Sequence, residues 1–248
     1  MIEIRQLKTN PEFAEAVTLQ KTIWGFDEID LLPVRLFVTA SKIGGHSFGA
    51  YDGDKMIGFC IAIPGIKPTL DQRAKSYLHS HMLGVMKEYR DAGLGRKLKL
   101  AQRDDAIRQG LDLIEWTFDP LEIKNAFFNI ERLGAVVRRF VLNQYGTTSS
   151  PLNAGLPTDR CTAEWWLESD RVTALLEGRE TPRKEVVGRI SITNDIYTIK
   201  ANDYTRAREV QKRVADQFLE YFAKDLAVTG FERSAENGTY LFSPWQSK

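Results

Sequence analysis

Apolar and polar positions alternate at the start of the chain, where Ile2, Ile4 and Leu7 predict a first short strand. Asn10-Pro11 then reads as an N-cap followed by proline at the first helical position, and the spacing carries a helix to about Trp24. Pro33 opens a second amphipathic segment with Leu36, Phe37 and Ala40, which stops at Gly44-Gly45. Two strand-like runs, 48–51 and 56–63, flank Asp52-Gly53-Asp54-Lys55, a turn that favours positive φ and so predicts a hairpin. Residues 72–76 read as a polar loop. Residues 77–86 read as a strand with Tyr77, His79, His81, Leu83 and Val85 on one face.

After Gly95 the period changes to that of a helix carrying Leu98, Ala101 and Ile107, which ends near Gly110 and gives way to a strand over 113–118. A short helix is expected over 125–132, ended by Leu133-Gly134, and a strand over 136–142. Residues 147–159 are rich in Thr, Ser, Pro, Gly and Asn, a composition that predicts a loop and a boundary. Beyond it, 161–167 and 186–192 read as strands. Residues 204–225 read as a helix with Val210, Val214, Phe218 and Phe222 inward, and 239–242 as a last strand. This order predicts an α/β mixed sheet: a core over 1–146 and a C-terminal α/β segment over 147–248 that extends or caps it. No internal repeat or low-complexity tract interrupts the pattern.

Composition narrows the classes. The chain of 248 residues has 43% hydrophobic residues, enough for a sizeable core. Its 34 Lys and Arg balance 33 Asp and Glu, without the broad positive field that nucleic acid or an anionic membrane usually requires. Cys60 and Cys161 are too few for a disulfide framework and read as reduced, buried thiols; no His/Cys cluster has metal-ligand spacing, so no metal is expected. The opening Met-Ile-Glu-Ile-Arg lacks the pattern of a secretory leader, and no stretch approaches about 18 apolar residues, so a cytoplasmic protein is expected.

The most informative segment is Arg90-Asp91-Ala92-Gly93-Leu94-Gly95-Arg96, between a strand and a helix. There, backbone N–H groups and the positive end of the helix dipole converge on one point suited to a pyrophosphate. The glycines allow a tight turn and close approach, and Arg96, Lys97, Lys99 and Arg103 supply cations on the first turns. A dinucleotide fingerprint fits less well, because it wants G-x-G-x-x-G directly after the first strand of a βαβ unit.

The run from Val85 to Arg96, with the apolar strand before it, closely resembles the acyl-CoA motif of the GNAT superfamily, and the element order over 1–146 is similar to that of the family. The resemblance implies a GNAT-like fold and an acyl-CoA-dependent N-acyltransferase, with acetyl-CoA, succinyl-CoA or another acyl-CoA as donor and a small amine or amino acid as acceptor. It implies pantetheine contacts from the backbone at Leu83, Gly84 and Val85, and pyrophosphate contacts from Arg90, Asp91, Ala92, Gly93, Leu94, Gly95 and Arg96. Residues 119–134, with Asn125 and Asn129, resemble the second family motif, whose helix flanks the thioester and pantetheine arm. Two departures mark a divergent member: Ile130 stands where many relatives place a tyrosine that protonates the leaving thiolate, and Ala135 follows Gly134 where phenylalanine is usual.

Acyl transfer to an amine needs a neutral nucleophile, and histidine is a base of suitable pKa without tuning. His81, on the strand leading to the motif, is the first candidate for catalysis; His79, on the same face, is a candidate for substrate contact. Glu115 could relay a proton through water, and Tyr145 could replace the missing tyrosine as acid. Arg138 and Arg139 should point to opposite faces, so at most one, taken as Arg138, would meet a substrate carboxylate. His46 reads as structural, Asp104-Asp105 as a solvated helix face, and 179–185 as a mobile charged loop. The other class left open is a non-catalytic acyl-CoA sensor or interaction protein, which needs the phosphate loop but no base or acid.

Overall fold

The computed structural model describes residues 1–68, 74–146, 154–181 and 184–245. The chain divides into two compact units, the first being Met1–Trp116 and the second running from Thr117 on. The sequence drew its line at Gly146 instead, within a segment whose residues 147–153 lie outside those described. Residues 182–183 of the charged stretch also lie outside them.

In the first unit, strands β1 (Ile2–Gln6), β2 (His46–Asp52), β3 (Lys55–Pro68), β4 (Ala74–Val85) and β5 (Leu113–Phe118, up to Trp116 in this unit) run in that order across the sheet. The first four pair antiparallel and β5 pairs parallel to β4, so the sheet is mixed. Residues 74–76, read as loop, belong to β4: β3 reaches Pro68 and provides a ladder down to Pro68↔Ala74, so the polar side chains there need no burial. Gln72 and Arg73 lie outside the described residues.

Three helices cover this sheet: α1 (Asn10–Trp24), α2 (Val34–Lys42) and α3 (Leu94–Arg108). The cap of α1 is Thr9, one residue before the expected Asn10, because Thr9 and Glu12 form a reciprocal capping box. One apolar layer joins Phe13, Leu19 and Phe37 to Phe59 and Ile61; the other joins Phe48, Ile57 and Cys60 to Leu94 and Leu98 of α3. Gly84 is required where α1 closes on β4, since a Cβ there would meet Trp24 Cη2 at 2.5 Å and Ile23 Cδ1 at 2.8 Å.

The second unit has strands β6 (Val136–Val141), β7 (Arg160–Trp166), β8 (Gly188–Thr193), β9 (Leu226–Arg233) and β10 (Asn237–Pro244), ordered β7-β6-β9-β10-β8. Its helices are α4 (Ile123–Phe127), which continues as a π-turn over Phe128–Arg132, α5 (Asp170–Leu176), α6 (Ile196–Asn202) and α7 (Tyr204–Phe222). Phe218 of α7 fixes that helix on the sheet, with ring centroids 5.1 Å from Phe140, 5.0 Å from Tyr240 and 5.5 Å from Phe242. Arg171 of α5 donates to the carbonyls of Ile130 and Gly134, satisfying the end of the π-turn. Elements α5, α6 and β9 escaped the sequence reading: the two helices have only seven residues each, and β9 contains Gly230, where the register with β10 shifts. Cys60 and Cys161 are free, buried thiols, as expected. Among the described residues no helix is long and apolar enough to cross a membrane.

Candidate functional site

The ladder between β4 and β5 consists of Leu78↔Ile114 and His79↔Glu115 and then stops, although β4 continues to Val85. Past this fork, β4 is laddered only to β3 within the unit, through Cys60↔Leu83, Phe59↔Gly84 and Gly58↔Val85. Parallel strands that part in this way leave backbone polar groups without sheet partners, which a ligand can use. The β3–β4 register also shifts, from Ile61↔Met82 to Ala62↔Ser80, leaving His81 as the extra residue of a bulge. Its ring centroid lies 5.8 Å from that of His79. Burial pushes the His81 pKa below its ordinary 6.5, so the imidazole is neutral and basic at neutral pH.

Residues 86–93 lead from β4 into α3. Asp91 has φ 64° and Gly93 φ 75°, left-handed conformations that turn successive N–H groups toward one side. Among the described residues no side chain caps the N-terminus of α3, and the first intrahelical bond is Lys97 N–H to the Gly93 carbonyl at 3.1 Å. The N–H groups of Leu94, Gly95 and Arg96 therefore have no helical acceptor. A Cβ on Gly93 would meet nothing within 4 Å, and the side chain of Arg90 is anchored by a 3.1 Å bond to the Val85 carbonyl. This uncapped, glycine-bounded turn fits a phosphate group.

Lys99 corrects the charge count for that turn. The sequence predicts a cation for the pyrophosphate here, but Lys99 is 3% exposed and points into the core, where Nζ donates to Ser80 Oγ at 2.8 Å and lies 3.5 Å from the Trp116 ring centroid. Burial lowers its pKa to about 7. Asp105 is corrected as well: it is buried, not solvated, and binds His46 Nδ1 at 2.7 Å, Arg108 at 2.8 Å and Gln109 at 2.8 Å. The signal was present in the helical period, because Lys99, Gln102 and Asp105 recur every three residues beside buried Leu98 and Ala106.

Glu115, at the last ladder pair, is buried and forms an ion pair with Lys67 of β3, whose ammonium also sits 4.9 Å from the Tyr77 ring centroid. The remaining sequence candidates belong to the second unit. Asn125 is exposed on α4, whereas Asn129 is buried in the π-turn with no partner for Nδ2 among the described residues. Ile130 is fully buried. The Tyr145 hydroxyl lies in the turn after β6, 2.8 Å from Thr117 Oγ1. Arg138 and Arg139, expected on opposite strand faces, both reach Glu164, at 2.5 Å and 3.5 Å, because the register shifts between Val137 and Arg139.

Residues 13–134 match the profile of the acetyltransferase (GNAT) family. No curated protein matches the chain in sequence. Among solved structures, the ribosomal-protein-S18-alanine N-acetyltransferase of Escherichia coli is 18% identical with a TM-score of 0.52, over 68% of this chain and 96% of its own. NAA60 of Arabidopsis thaliana, solved with acetyl-CoA, is 14% identical with a TM-score of 0.54, over 68% of this chain and all (100%) of its own. A GNAT-family protein of Desulfovibrio desulfuricans is 14% identical with a TM-score of 0.50, over 67% of this chain and 99% of its own. At these identities the likeness is one of fold.

Proposed function

From the premise that this chain carries a GNAT acetyltransferase domain and is an acyltransferase, we propose that it moves an acetyl or succinyl group from coenzyme A to the amine of a small acceptor, an amino acid among the candidates. The observation that carries the reading is the fork of β4 and β5, where β4 keeps its ladder to β3 but has lost β5, and residues 86–93 then lead into the uncapped turn at Gly93. A strand edge for the amide-rich pantetheine arm and a nest for the pyrophosphate thus follow one another along the chain. Acetyl-CoA, the ligand in the Arabidopsis structure, is the first donor to try.

In this proposal the neutral acceptor nitrogen attacks the thioester carbonyl. The oxyanion is met by backbone N–H groups of β4 past the fork, His81 takes the proton from nitrogen, and the C–S bond breaks to release the thiolate. Cys60 serves no covalent step, because it is fully buried and its pKa is pushed up to about 12. The proton that the leaving thiolate takes up comes from solvent. The deciding experiment sets a panel of acyl-CoA donors against amino acids and small amines, with released thiol as the readout. One donor–acceptor pair with saturable turnover is expected.

One feature favours a second reading. Ile130 is fully buried where the family resemblance puts the tyrosine acid, as in a protein that binds acyl-CoA without turning it over. CoA would then raise the melting temperature while no donor–acceptor pair released thiol.

A further inference from the structure

Ser80 and Trp116 are the residues that immediately follow the last β4–β5 ladder pair, His79↔Glu115, one on each diverging strand. A single atom reaches both: Lys99 Nζ, 2.8 Å from Ser80 Oγ and 3.5 Å from the centroid of the Trp116 ring. Ser80 Oγ donates onward to Gln102 Oε1 at 2.9 Å, returning the chain of bonds to α3 one turn later. All four residues are buried, with Lys99 at 3%, Ser80 at 4%, Gln102 at 0% and Trp116 at 6% exposure. Lys99 has no carboxylate partner among the described residues; its contacts are a hydroxyl and an aromatic face.

Burying an amine away from any carboxylate costs folding free energy, so an apolar residue of the same length is neutral or stabilising there. What Lys99 supplies instead is geometric. It belongs to α3, whose first turn carries the phosphate nest, and its far end holds both strands where they part. The next residue after Ser80 is His81, at the bulge.

We propose that Lys99 is a positioning residue, whose Nζ ties β4 and β5 at their fork to α3 and so fixes the His81 bulge relative to the phosphate-binding turn. The inference rests on the reading of the fork as the cleft for the pantetheine arm. Without the tie, the nest still binds phosphate, because its N–H groups are set by the backbone of residues 91–96, but the base loses its register with the thioester.

Lys99→Met preserves length and apolar volume while removing the donor and the charge. The expected result is a melting temperature equal to or above wild type and unchanged CoA affinity and donor KM, with kcat lowered about 10–100-fold. Amide hydrogen exchange at Ser80, His81 and Trp116 should become faster without any substrate present. Ser80→Ala should reproduce the effect, and Ser80→Thr, which keeps the hydroxyl, should recover it. Wild-type kcat together with wild-type exchange in Lys99→Met would overturn the proposal, as would a kcat lost only in proportion to melting temperature, which marks plain core packing. If wild type binds CoA but releases no thiol with any pair, the acyl-transfer reading fails, and exchange at the fork still decides the role of Lys99.

Discussion

Lys67 of β3 closes on Glu115 of β5, reaching past β4 to occupy a carboxylate that is only 2% exposed. Glu115 is itself half of the last ladder pair, His79↔Glu115, so the ion pair stands where the two strands part. A carboxylate engaged in this way is a poor proton relay, since its charge is already compensated.

Glu115→Gln should therefore act on stability. It leaves Lys67, 27% exposed, facing a neutral amide, and a weakened charged hydrogen bond of this kind costs about 1.5–3 kcal/mol, with partial exposure pulling toward the low end. Thermal denaturation should show the loss while kcat stays within about fivefold of wild type. A loss of turnover near 10²-fold at unchanged melting temperature would instead return Glu115 to the proton path.

His81→Ala should lower kcat by about 10²–10⁴-fold with little change in CoA binding. The pH dependence has a definite sign. Burial places the folded-state pKa of His81 below 6.5, so the basic form persists down through neutrality and the rate should fall only as pH drops through that lowered value. A profile of kcat/KM from pH 5 to 9 checks it, and an acid limb that remains in the alanine variant would assign the titration to another group.

Gly95→Asp places a negative charge within the first turn of α3, at an N-terminus with no side-chain cap. CoA affinity, measured calorimetrically, should collapse while circular dichroism stays that of a folded chain. Retained affinity in the folded variant would remove the phosphate role from this turn.

A chain ending at Gly146 keeps β6 but loses β7 and β9, which pair with its two edges, through Val136↔Glu164 on one side and Val137↔Val228 on the other. It also loses Phe218, which stacks on Phe140. With two open edges and apolar area exposed at about 25 cal/mol per Å², the fragment should be insoluble or markedly destabilised. Recovery of a soluble, cooperatively melting fragment would show that the remaining strands suffice.

What the sequence determined by itself was local. Period-two runs, the Asp52-Gly53 turn, the proline-led helix starts and the Arg90-to-Arg96 run all state their conformation within a few residues, so β2 to β5, α1 to α3 and the phosphate turn were legible before any packing was known. The short elements α5, α6 and β9 were not, because their stability comes from docking more than from propensity: α5 is held through Arg171 on the Ile130 and Gly134 carbonyls, and β9 between β6 and β10. Only the tertiary structure decided the partners of charged side chains. Lys99, Asp105, Glu115 and Arg138 all looked available to solvent or substrate, yet each meets a partner distant in sequence: Ser80, His46, Lys67 and Glu164. A charge does not declare its counterpart along the chain, because ion pairing and burial depend on which strands and helices are brought within a few ångströms, and the bulges at His81 and Arg138 shift even the face on which a side chain emerges.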